Sequence, residues 1–313
     1  MLKKPKVFVI ILNWNQWELT IECLRSIEQL STNKTSDVQL TIIVVDNGST
    51  DDSVIKLKKF ISDQGSFDCK LMENQENLGF VGGNNVGIRY ALKNDASYVL
   101  ILNNDVIVDS SLIVRTVELL QRDSGIGLVS PKIYFAKGFE FHKDRYKENE
   151  RGKVIWYAGG IIDWDNMYGT SRGVDEIDKG QYDKGRETDF ATGACMFLTA
   201  KALRDIGVFD EKYYLYYEDT DLSQRMKNKG WKVWYEPKAI IWHKVAQSSG
   251  IGSDLNDYFT TRNRMLFGMR YAPLRTKLAL AKESVKLLLN GRKWQKIGVK
   301  DFYLGKFGKG SWK

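Results

Sequence analysis

The sequence predicts an α/β fold with a Rossmann-like, mostly parallel sheet that is covered by helices on both faces. In the first hundred residues, apolar runs typical of strands alternate with segments whose apolar residues have helical spacing. The runs are almost continuously apolar, which is typical of strands buried on both faces of a parallel sheet. A chain of 313 residues with 43% apolar side chains is long enough for such a domain.

The predicted elements follow one another at short intervals. Strand, helix and strand are predicted for VFVIILNW, WELTIECLRSIEQL and LTIIVVDN. The next helix, STDDSVIKLKKFIS, begins with Ser49 or Thr50 ahead of two acids, which is a suitable N-terminal cap. A short strand, a helix and a fourth strand are predicted for CKLMEN, GGNNVGIRYALKN and SYVLILNND. The apolar run VFVIIL has the length of a core strand and lacks the cleavage site of a signal peptide.

The middle of the chain, at about 136–185, is charged and rich in glycine, which predicts a long surface excursion. Within it, WYAGGIIDWD is predicted to form a short pair of strands. Regular structure is expected again in DFATGACMFLTAKALRDIGVFDE, YYLYYEDTDLSQRMKNKGWKVWYEP and AIIWHKV. The three cysteines are far apart and include no CxxC pair, so we expect neither disulfides nor a thiolate zinc site, and a reducing cytoplasm is the simplest location.

The formal charge of +8 lies in the C-terminal part of the chain. Residues 270–313 contain 12 lysines and arginines against two acids, whereas the remainder contains 35 against 37. Leu278, Ala281, Val285 and Leu288 share one helical face, and cations surround them at Lys277, Lys282, Lys286, Arg292 and Lys293. Such a basic amphipathic helix can lie on an anionic membrane surface, and a solvated helical face is the simpler alternative. No membrane-spanning segment and no nucleic-acid partner are expected.

Polar residues end three of the predicted strands, at 13–15, 46–49 and 103–105. Because ligands bind beyond the carboxyl ends of parallel strands, we expect these residues to converge at one edge of the sheet. Their oxygen atoms suit Mg²⁺ or Mn²⁺, which usually bridges to phosphate. A divalent cation would then satisfy Asp105, an acid that directly follows a buried strand.

The segment NLGFVGGNNVGI has four glycines but lacks the GxGxxG spacing of a dinucleotide-binding loop. Either it is a turn that enters a helix, or its small residues let a nucleotide approach the backbone while Asn77 and Asn84 bind it. Further along, LYYEDTDLSQR places Glu218, Asp219 and Asp221 at a predicted helix start. Such acids can simply complement the helix dipole, but an acid held among aromatic rings can also act as a general base.

Three further residues are candidates for binding the diphosphate and its cation. His243 follows an apolar strand directly, as Asp105 does, and imidazole suits Mn²⁺, although a lone histidine is more often a packed or surface residue. Arg262 and Arg264, on a predicted helix, are candidates for contact with a diphosphate, with surface solvation as the alternative.

Taken in order, seven motifs resemble those of the family-2 inverting glycosyltransferases, especially their rhamnosyltransferase-like branch: VIILNWN, VVDNGSTD, ENLGFVGGNNVGI, ILNNDV, ATGACMFL, GVFDEKYYLYYEDTDLSQR and WHKVAQSSG. The resemblance implies an A-type glycosyltransferase (GT-A) fold in a catalytic domain of residues 1–268. Its nucleotide-binding half would comprise about 1–110 and its acceptor-binding half about 111–268. Residues 269–313 would form a basic helical extension.

The family also implies a role for individual residues. Asp46 resembles the acid that reads the pyrimidine of the donor, Asp105 and His243 resemble the metal ligands, and Asp219 resembles the catalytic base. Glu218 or Asp221 remains an alternative base. Asn103 stands where the family's D-x-D element has its first acid, which removes charge from the metal site. The predicted nucleotide-binding residues are Asn13, Asn15, Asp46, Asn77, Asn84, Asn103 and Asn104.

The implied function is metal-dependent sugar transfer from a nucleoside-diphosphate donor to a hydroxyl group, in cell-surface polysaccharide synthesis. The resemblance favours dTDP-L-rhamnose as donor. The acceptor would be a glycan or lipid-linked saccharide, because the basic C-terminal tail suggests a membrane-anchored lipid carrier and a cytoplasmic location at the inner face of the cell membrane. A UDP-sugar hexosyltransferase and a catalytically weak nucleotide-binding protein are the alternatives. A nucleotidyltransferase would need a basic, glycine-rich loop after the first strand, where this chain has NWNQWELT.

Overall fold

The computed structural model describes residues 4–31, 38–63, 68–245 and 252–313. Its first part alternates strands and helices, as the sequence predicts. These elements are β1 (Lys6–Asn13), α1 (Trp17–Ser31), β2 (Gln39–Asp46), α2 (Ser53–Asp63), β3 (Cys69–Glu73), α3 (Gly79–Lys93) and β4 (Tyr98–Asn103).

The second part adds the remaining strands and helices. The strands are β5 (Val106–Val108), β6 (Ile126–Phe135), β7 (Ile155–Tyr157), β8 (Gly160–Asp163), β9 (Tyr168–Ser171), β10 (Arg186–Glu187), β11 (Cys195–Thr199) and β12 (Lys232–His243). The helices are α4 (Leu112–Arg122), α5 (Ala200–Ile206), α6 (Glu218–Asn228), α7 (Asp254–Tyr271), α8 (Leu274–Asn290) and α9 (Lys293–Tyr303), with a 3₁₀ turn at Lys143–Arg145.

Within the described residues, ten strands form one mixed sheet in the order β10-β12-β6-β11-β4-β1-β2-β3, with β5 paired to β12 and β7 to β6. Strands β1 to β4 are parallel, and β11 is antiparallel to its two neighbours. The chain passes outward from β1 to β3 and then returns to place β4 on the other side of β1. This reversal opens a crevice at the carboxyl ends of β1 and β4, which is where ligands bind in such sheets.

Close packing of α3 on β1 depends on two glycines of the NLGFVGGNNVGI segment. A Cβ atom at Gly83 would lie 2.3 Å from Cδ1 of Leu12, and one at Gly87 would lie 2.6 Å from Cγ2 of Ile10. Larger residues would therefore push the helix away from the sheet. These two glycines allow close contact between the helix and the sheet.

Two expectations about local structure are corrected. The helix α2 begins at Ser53, because the preceding polar residues form a turn in which Ser49 bonds back to Asp46. The strands of WYAGGIIDWD do not pair with each other, since β7 joins β6 and β8 forms a separate hairpin with β9. The helix α7, which contains the proposed domain boundary at 268/269, ends at Tyr271.

The C-terminal helices pack onto the rest of the domain. On α9, Asp301 accepts a hydrogen bond from the hydroxyl group of Tyr258 on α7, and Arg292 pairs with Asp257. In the part of the chain that the structure describes, no helix is both long enough and apolar enough to cross a membrane.

Candidate active site

A cleft of about 580 Å³ lies at the carboxyl ends of β1, β4 and β12, beside the N-terminus of α6. It brings together seven of the residues predicted from the sequence: Asn15, Asn103, Asn104, Asp105, Glu218, Asp219 and His243. Aromatic and apolar side chains complete its wall at Leu12, Trp14, Phe80, Trp156 and Tyr216. Of the three strand ends expected to converge, those of β1 and β4 line the cleft, whereas residues 46–49 at the end of β2 do not, and His243 at the end of β12 joins them.

Asp105 and His243 form the acidic and imidazole pair of the cleft. Nε2 of His243 lies 3.1 Å from Oδ1 of Asp105, and both side chains are more than nine-tenths buried. Their proximity follows from the sheet, because β5 pairs with β12 in a register that places His243 opposite Val106. The backbone amide of Lys244 also donates to the carbonyl of Asp105 at 2.9 Å. The two strands thus hold the pair in place.

The surroundings of the pair fit a divalent cation. The ring of His243 packs edge-on against Trp156 at a centroid distance of 4.5 Å, and its Nδ1 is enclosed without a hydrogen-bond partner in the described chain. Carboxylate oxygen and imidazole nitrogen together suit Mn²⁺ or a similar ion. No group of three or more histidine, cysteine or acidic side chains with metal-site geometry occurs within the described ranges. A cation held here would therefore take further ligands from a bound diphosphate.

Two acids at the start of α6 reach the same cleft. Oε2 of Glu218 is enclosed without a partner among the described residues, and burial raises the pKa of Glu218 well above its usual range, with a further contribution from the charge of Asp219. Burial also raises the pKa of Asp219, although hydrogen bonds oppose this effect. Oδ2 of Asp219 accepts from the amide of Gly193 at 3.0 Å, and Oδ1 accepts from Thr220 at 2.7 Å.

Asp221 is not part of the cleft lining and has a structural role. Its carboxylate is fully buried and accepts hydrogen bonds from four side chains, those of Tyr213, Arg225, Arg270 and Tyr271. This arrangement leaves no oxygen directed at a ligand. The structure thereby reduces the three candidate bases to Glu218 and Asp219.

The turn before α6 is unusual because three tyrosines have positive φ angles. Tyr214, Tyr216 and Tyr217 have φ values of 67°, 67° and 69°, in a region that is costly for residues other than glycine. Asn263 on α7 lies within hydrogen-bonding distance of the carbonyls of this turn. Sequence reasoning missed Asn263, and its only signal was its position beside Arg262.

The predicted diphosphate contacts of the two arginines are corrected. Arg262 is 0% exposed, and its guanidinium donates to the carbonyls of Lys212 and Tyr213, because α7 crosses directly behind the turn. Arg264 forms a two-point ion pair with Glu283 on α8 and donates to the carbonyl of Asn166. Neither arginine lines the cleft.

Asp46 and Asn13 lie behind the cleft and organise its edge. Asp46 is buried, and its Oδ1 accepts from Asn13 at 2.8 Å and from Ser49 at 2.6 Å. Ser49 in turn accepts from the backbone amide of Asn15, which does line the cleft. The carboxylate therefore fixes the loop that carries Asn15.

The side chains of Asn77 and Asn84, which are predicted to bind the nucleotide, also have protein partners. Oδ1 of Asn77 accepts from Asn47 at 2.9 Å and from the amide of Gly79 at 2.8 Å, and so closes the turn before the helix. The amide of Asn84 donates to the carbonyl of Phe80, while its buried Oδ1 has no partner within the described part of the chain. By contrast, Asn104 lines the cleft and donates to Thr20.

The fold and these strand-end side chains define the class as an A-type glycosyltransferase. Residues 8–207 match glycosyl transferase family 2, and residues 165–298 match glycosyl transferase family group 2. The chain belongs to glycosyl transferase family 2. The C-terminal part of the WHKVAQSSG motif, residues 246–250, lies outside the described residues.

Curated relatives of this chain include three sugar transferases or synthases. The low-salt glycan biosynthesis hexosyltransferase Agl10 of Haloferax volcanii is 24% identical over 72% of this chain and 66% of its own length. The N-acetylglucosaminyl-diphospho-decaprenol L-rhamnosyltransferase of Mycobacterium tuberculosis is 37% identical over 21% of each chain. The poly-beta-1,6-N-acetyl-D-glucosamine synthase of Staphylococcus aureus is 25% identical over 67% of this chain and 44% of its own. The matches thus span less than two thirds of these relatives.

Solved structures confirm the GT-A fold. A mannosyltransferase from Pyrobaculum calidifontis, in complex with GDP-Man and Mn²⁺, matches 97% of this chain and 75% of its own, with a TM-score of 0.56 and 16% identity. GalNAc-T7, with UDP, GalNAc and Mn²⁺, matches 97% of this chain and 57% of its own, with a TM-score of 0.61 and 14% identity.

Proposed function

We propose that the protein is an inverting, cation-dependent glycosyltransferase that moves a rhamnosyl group from dTDP-L-rhamnose to a hydroxyl group of a saccharide. The observation that carries this proposal is the shared cleft of Asp105, His243 and the acids of α6. One part of that cleft suits a nucleoside diphosphate with its cation, and another offers a carboxylate base. Family membership supports the reaction class.

Asp105 and His243 would hold Mg²⁺ or Mn²⁺. When bound, the cation neutralises the charge that develops on the departing diphosphate. The pairing of β5 with β12 holds these two ligands together before the donor arrives. Asn103, Asn104 and Asn15 would contact the donor, while Asp46 and Asn13 would fix the loop behind it.

Asp219 would take the proton of the acceptor hydroxyl. As the hydroxyl oxygen bonds to the anomeric carbon, the bond from that carbon to the diphosphate oxygen breaks on the opposite side, which inverts the configuration. The amides of Gly193 and Thr220 hold the carboxylate in one orientation. Because burial raises its pKa, Asp219 is a stronger base than an exposed aspartate. Glu218 is the second candidate for this role.

The rhamnosyl donor is supported by the 37% identity to the mycobacterial rhamnosyltransferase, which covers only 65 residues. A UDP-sugar hexosyltransferase is the second candidate, because the match to Agl10, named as a hexosyltransferase, extends over 226 residues. We further propose a lipid-linked saccharide as acceptor, since the name of the mycobacterial relative includes a diphospho-decaprenol carrier. The protein would then work from the cytoplasm, in peripheral contact with the inner face of the membrane.

A thermal-shift panel of dTDP, UDP, GDP and CDP, each with and without Mn²⁺ or Mg²⁺, tests the donor proposal. A nucleotide at a hundredfold excess over its Kd stabilises the folded state by about 2.7 kcal/mol. Cation-dependent stabilisation by dTDP supports the rhamnosyl donor, and stabilisation by UDP alone supports the hexosyl donor. The absence of any response would contradict the proposed function. Transfer from the matching labelled nucleotide sugar then tests the reaction itself.

A further inference from the structure

Helix α8 exposes four large apolar side chains to the solvent. Leu274 is 73% exposed, Leu278 64%, Val285 54% and Leu289 69%. Large apolar side chains that are exposed together, rather than singly, mark an interaction surface. These four residues are termed the outward face of α8.

The distribution of apolar and small polar side chains around α8 differs from the usual amphipathic pattern. At 100° per residue, the four side chains of the outward face lie within an arc of about 60°. The buried residues Thr276, Leu280 and Ser284 lie roughly 200–280° around the helix from Leu274. An amphipathic helix on the surface of a globular protein usually directs leucine toward the core and threonine or serine toward the solvent. Here Thr276 and Ser284 pack against the protein beside Leu280, and the four apolar side chains of the outward face do not.

Contacts on the inner side hold α8 in this orientation. Glu283 forms the two-point ion pair with Arg264 of α7, and the hydroxyl group of Ser284 lies 2.7 Å from that of Tyr303 on α9. Leu280 packs so closely on α7 that a Cβ atom at Gly268 would lie 2.2 Å from it. The outward face is therefore presented by a fixed helix.

Exposed apolar side chains also occur at the end of α9, and cations lie beside the outward face. Tyr303 and Leu304, at the end of α9, are 56% and 67% exposed. Cations border the outward face along α8, where Arg275, Lys282 and Lys286 are exposed and lie about 80–120° from Leu274. The acid of α8, Glu283, is already paired with Arg264.

We infer that the outward face of α8 docks on an anionic lipid bilayer. Its leucines would enter the boundary between headgroups and acyl chains, and its cations would face the anionic headgroups. The charge selects this occupant over a second copy of the chain, because two copies would bring cations against cations. The docking surface itself follows from exposure and charge, and only its purpose, access to a lipid-linked acceptor, rests on the proposed function.

Vesicle flotation tests the inference. The full-length protein is mixed with vesicles of phosphatidylcholine that contain phosphatidylglycerol, and with vesicles of phosphatidylcholine alone. We expect the wild type to float with the anionic vesicles. The double variant Leu278→Asn/Leu289→Asn should lose at least about tenfold in partition coefficient, because two anchoring side chains become polar. The double variant Lys282→Gln/Lys286→Gln should lose its preference for anionic vesicles.

The matched control is Ile55→Asn, which changes a side chain that is 68% exposed on α2, in a different part of the molecule. This control should float as the wild type does. A wild type that stays in solution, or an Asn double variant that still floats, overturns the inference. A wild-type dimer that the Asn double variant converts to a monomer, measured by light scattering, would identify a second copy as the occupant instead.

The result of the flotation experiment can be distinguished from the result of the experiment that tests the proposed function. Asp219→Asn should float normally, and Leu278→Asn/Leu289→Asn should retain nucleotide stabilisation in the thermal-shift panel. Floating without any nucleotide response would leave the docking surface standing and remove the transferase proposal. Stabilisation by a nucleotide without flotation would remove the docking surface and leave the transferase proposal standing.

Discussion

The side-chain nitrogen of Asn263 lies 2.9 Å from the carbonyl oxygen of Tyr216, two residues before Glu218. The same nitrogen lies 2.7 Å from the carbonyl of Leu215 and 2.9 Å from that of Tyr213. Tyr216 has a φ of 67°, and backbone strain of this kind costs about 1–3 kcal/mol per residue. A side chain of α7 thus stabilises the strained turn that positions the two acids of α6.

Replacement of Asn263 by Ala should impair catalysis more than nucleotide binding. The variant leaves buried carbonyls without a donor, which costs about 1–3 kcal/mol, and it frees the turn that orients Asp219. We expect a lower melting temperature and a lower kcat, with the thermal shift given by the nucleotide retained. Asn290→Ala, at the exposed end of α8, serves as the control and should change neither quantity. Wild-type kcat in Asn263→Ala would refute the positioning role.

Asp105→Ala should abolish the cation-dependent part of nucleotide stabilisation. Removal of this carboxylate leaves His243 as the remaining protein ligand of the proposed site. The melting temperature with nucleotide should then be the same with and without Mn²⁺, and transfer activity should be lost. Asp165→Ala removes an exposed acid elsewhere and should retain the full response. If Asp105→Ala kept the cation effect, the ion would have to bind elsewhere.

The sequence predicts the frame of the molecule well because β1, β2 and β4 are largely apolar and helices separate the first four strands from one another. The resemblance to the family assigns Asp105 and His243 to one metal site, and the structure places the two side chains 3.1 Å apart. The sequence could not show that Arg262 is a structural residue, because the carbonyls that Arg262 binds belong to a turn distant in the chain. The same holds for Asp221, whose partners Arg270 and Tyr271 come from α7.

The acids Asp219 and Asp221 should respond differently to the same substitution. Asp219→Asn removes the proposed base and should lower kcat at least about 100-fold with little loss of stability. Asp221→Asn removes a buried charge from Arg225 and Arg270 and should cost about 3–5 kcal/mol of folding free energy. Single-turnover kinetics and urea unfolding distinguish the two effects. Equal losses of kcat in stable, folded proteins would contradict this assignment.

Glu218 should make the folded protein less stable as the pH rises. Its pKa is raised in the folded state, so the native protein binds more protons than the unfolded chain between the ordinary glutamate pKa of about 4.3 and the raised value. Stability is therefore fully present below the ordinary value and decreases as the pH rises through the raised one.

Glu218→Gln keeps the shape of the side chain and cannot ionise. We expect it to melt at the same temperature as the wild type at pH 4 and at a higher temperature at pH 8, measured by calorimetry at both pH values. The exposed Glu187→Gln is the matched control and should follow the wild type at both pH values, since its carboxylate remains in water. A Glu218→Gln variant that is less stable than the wild type at pH 8 would show that the ionised carboxylate is stabilised in the native cleft. The buried Oε2 would then have a favourable partner there, and Glu218 would become the stronger candidate for the base.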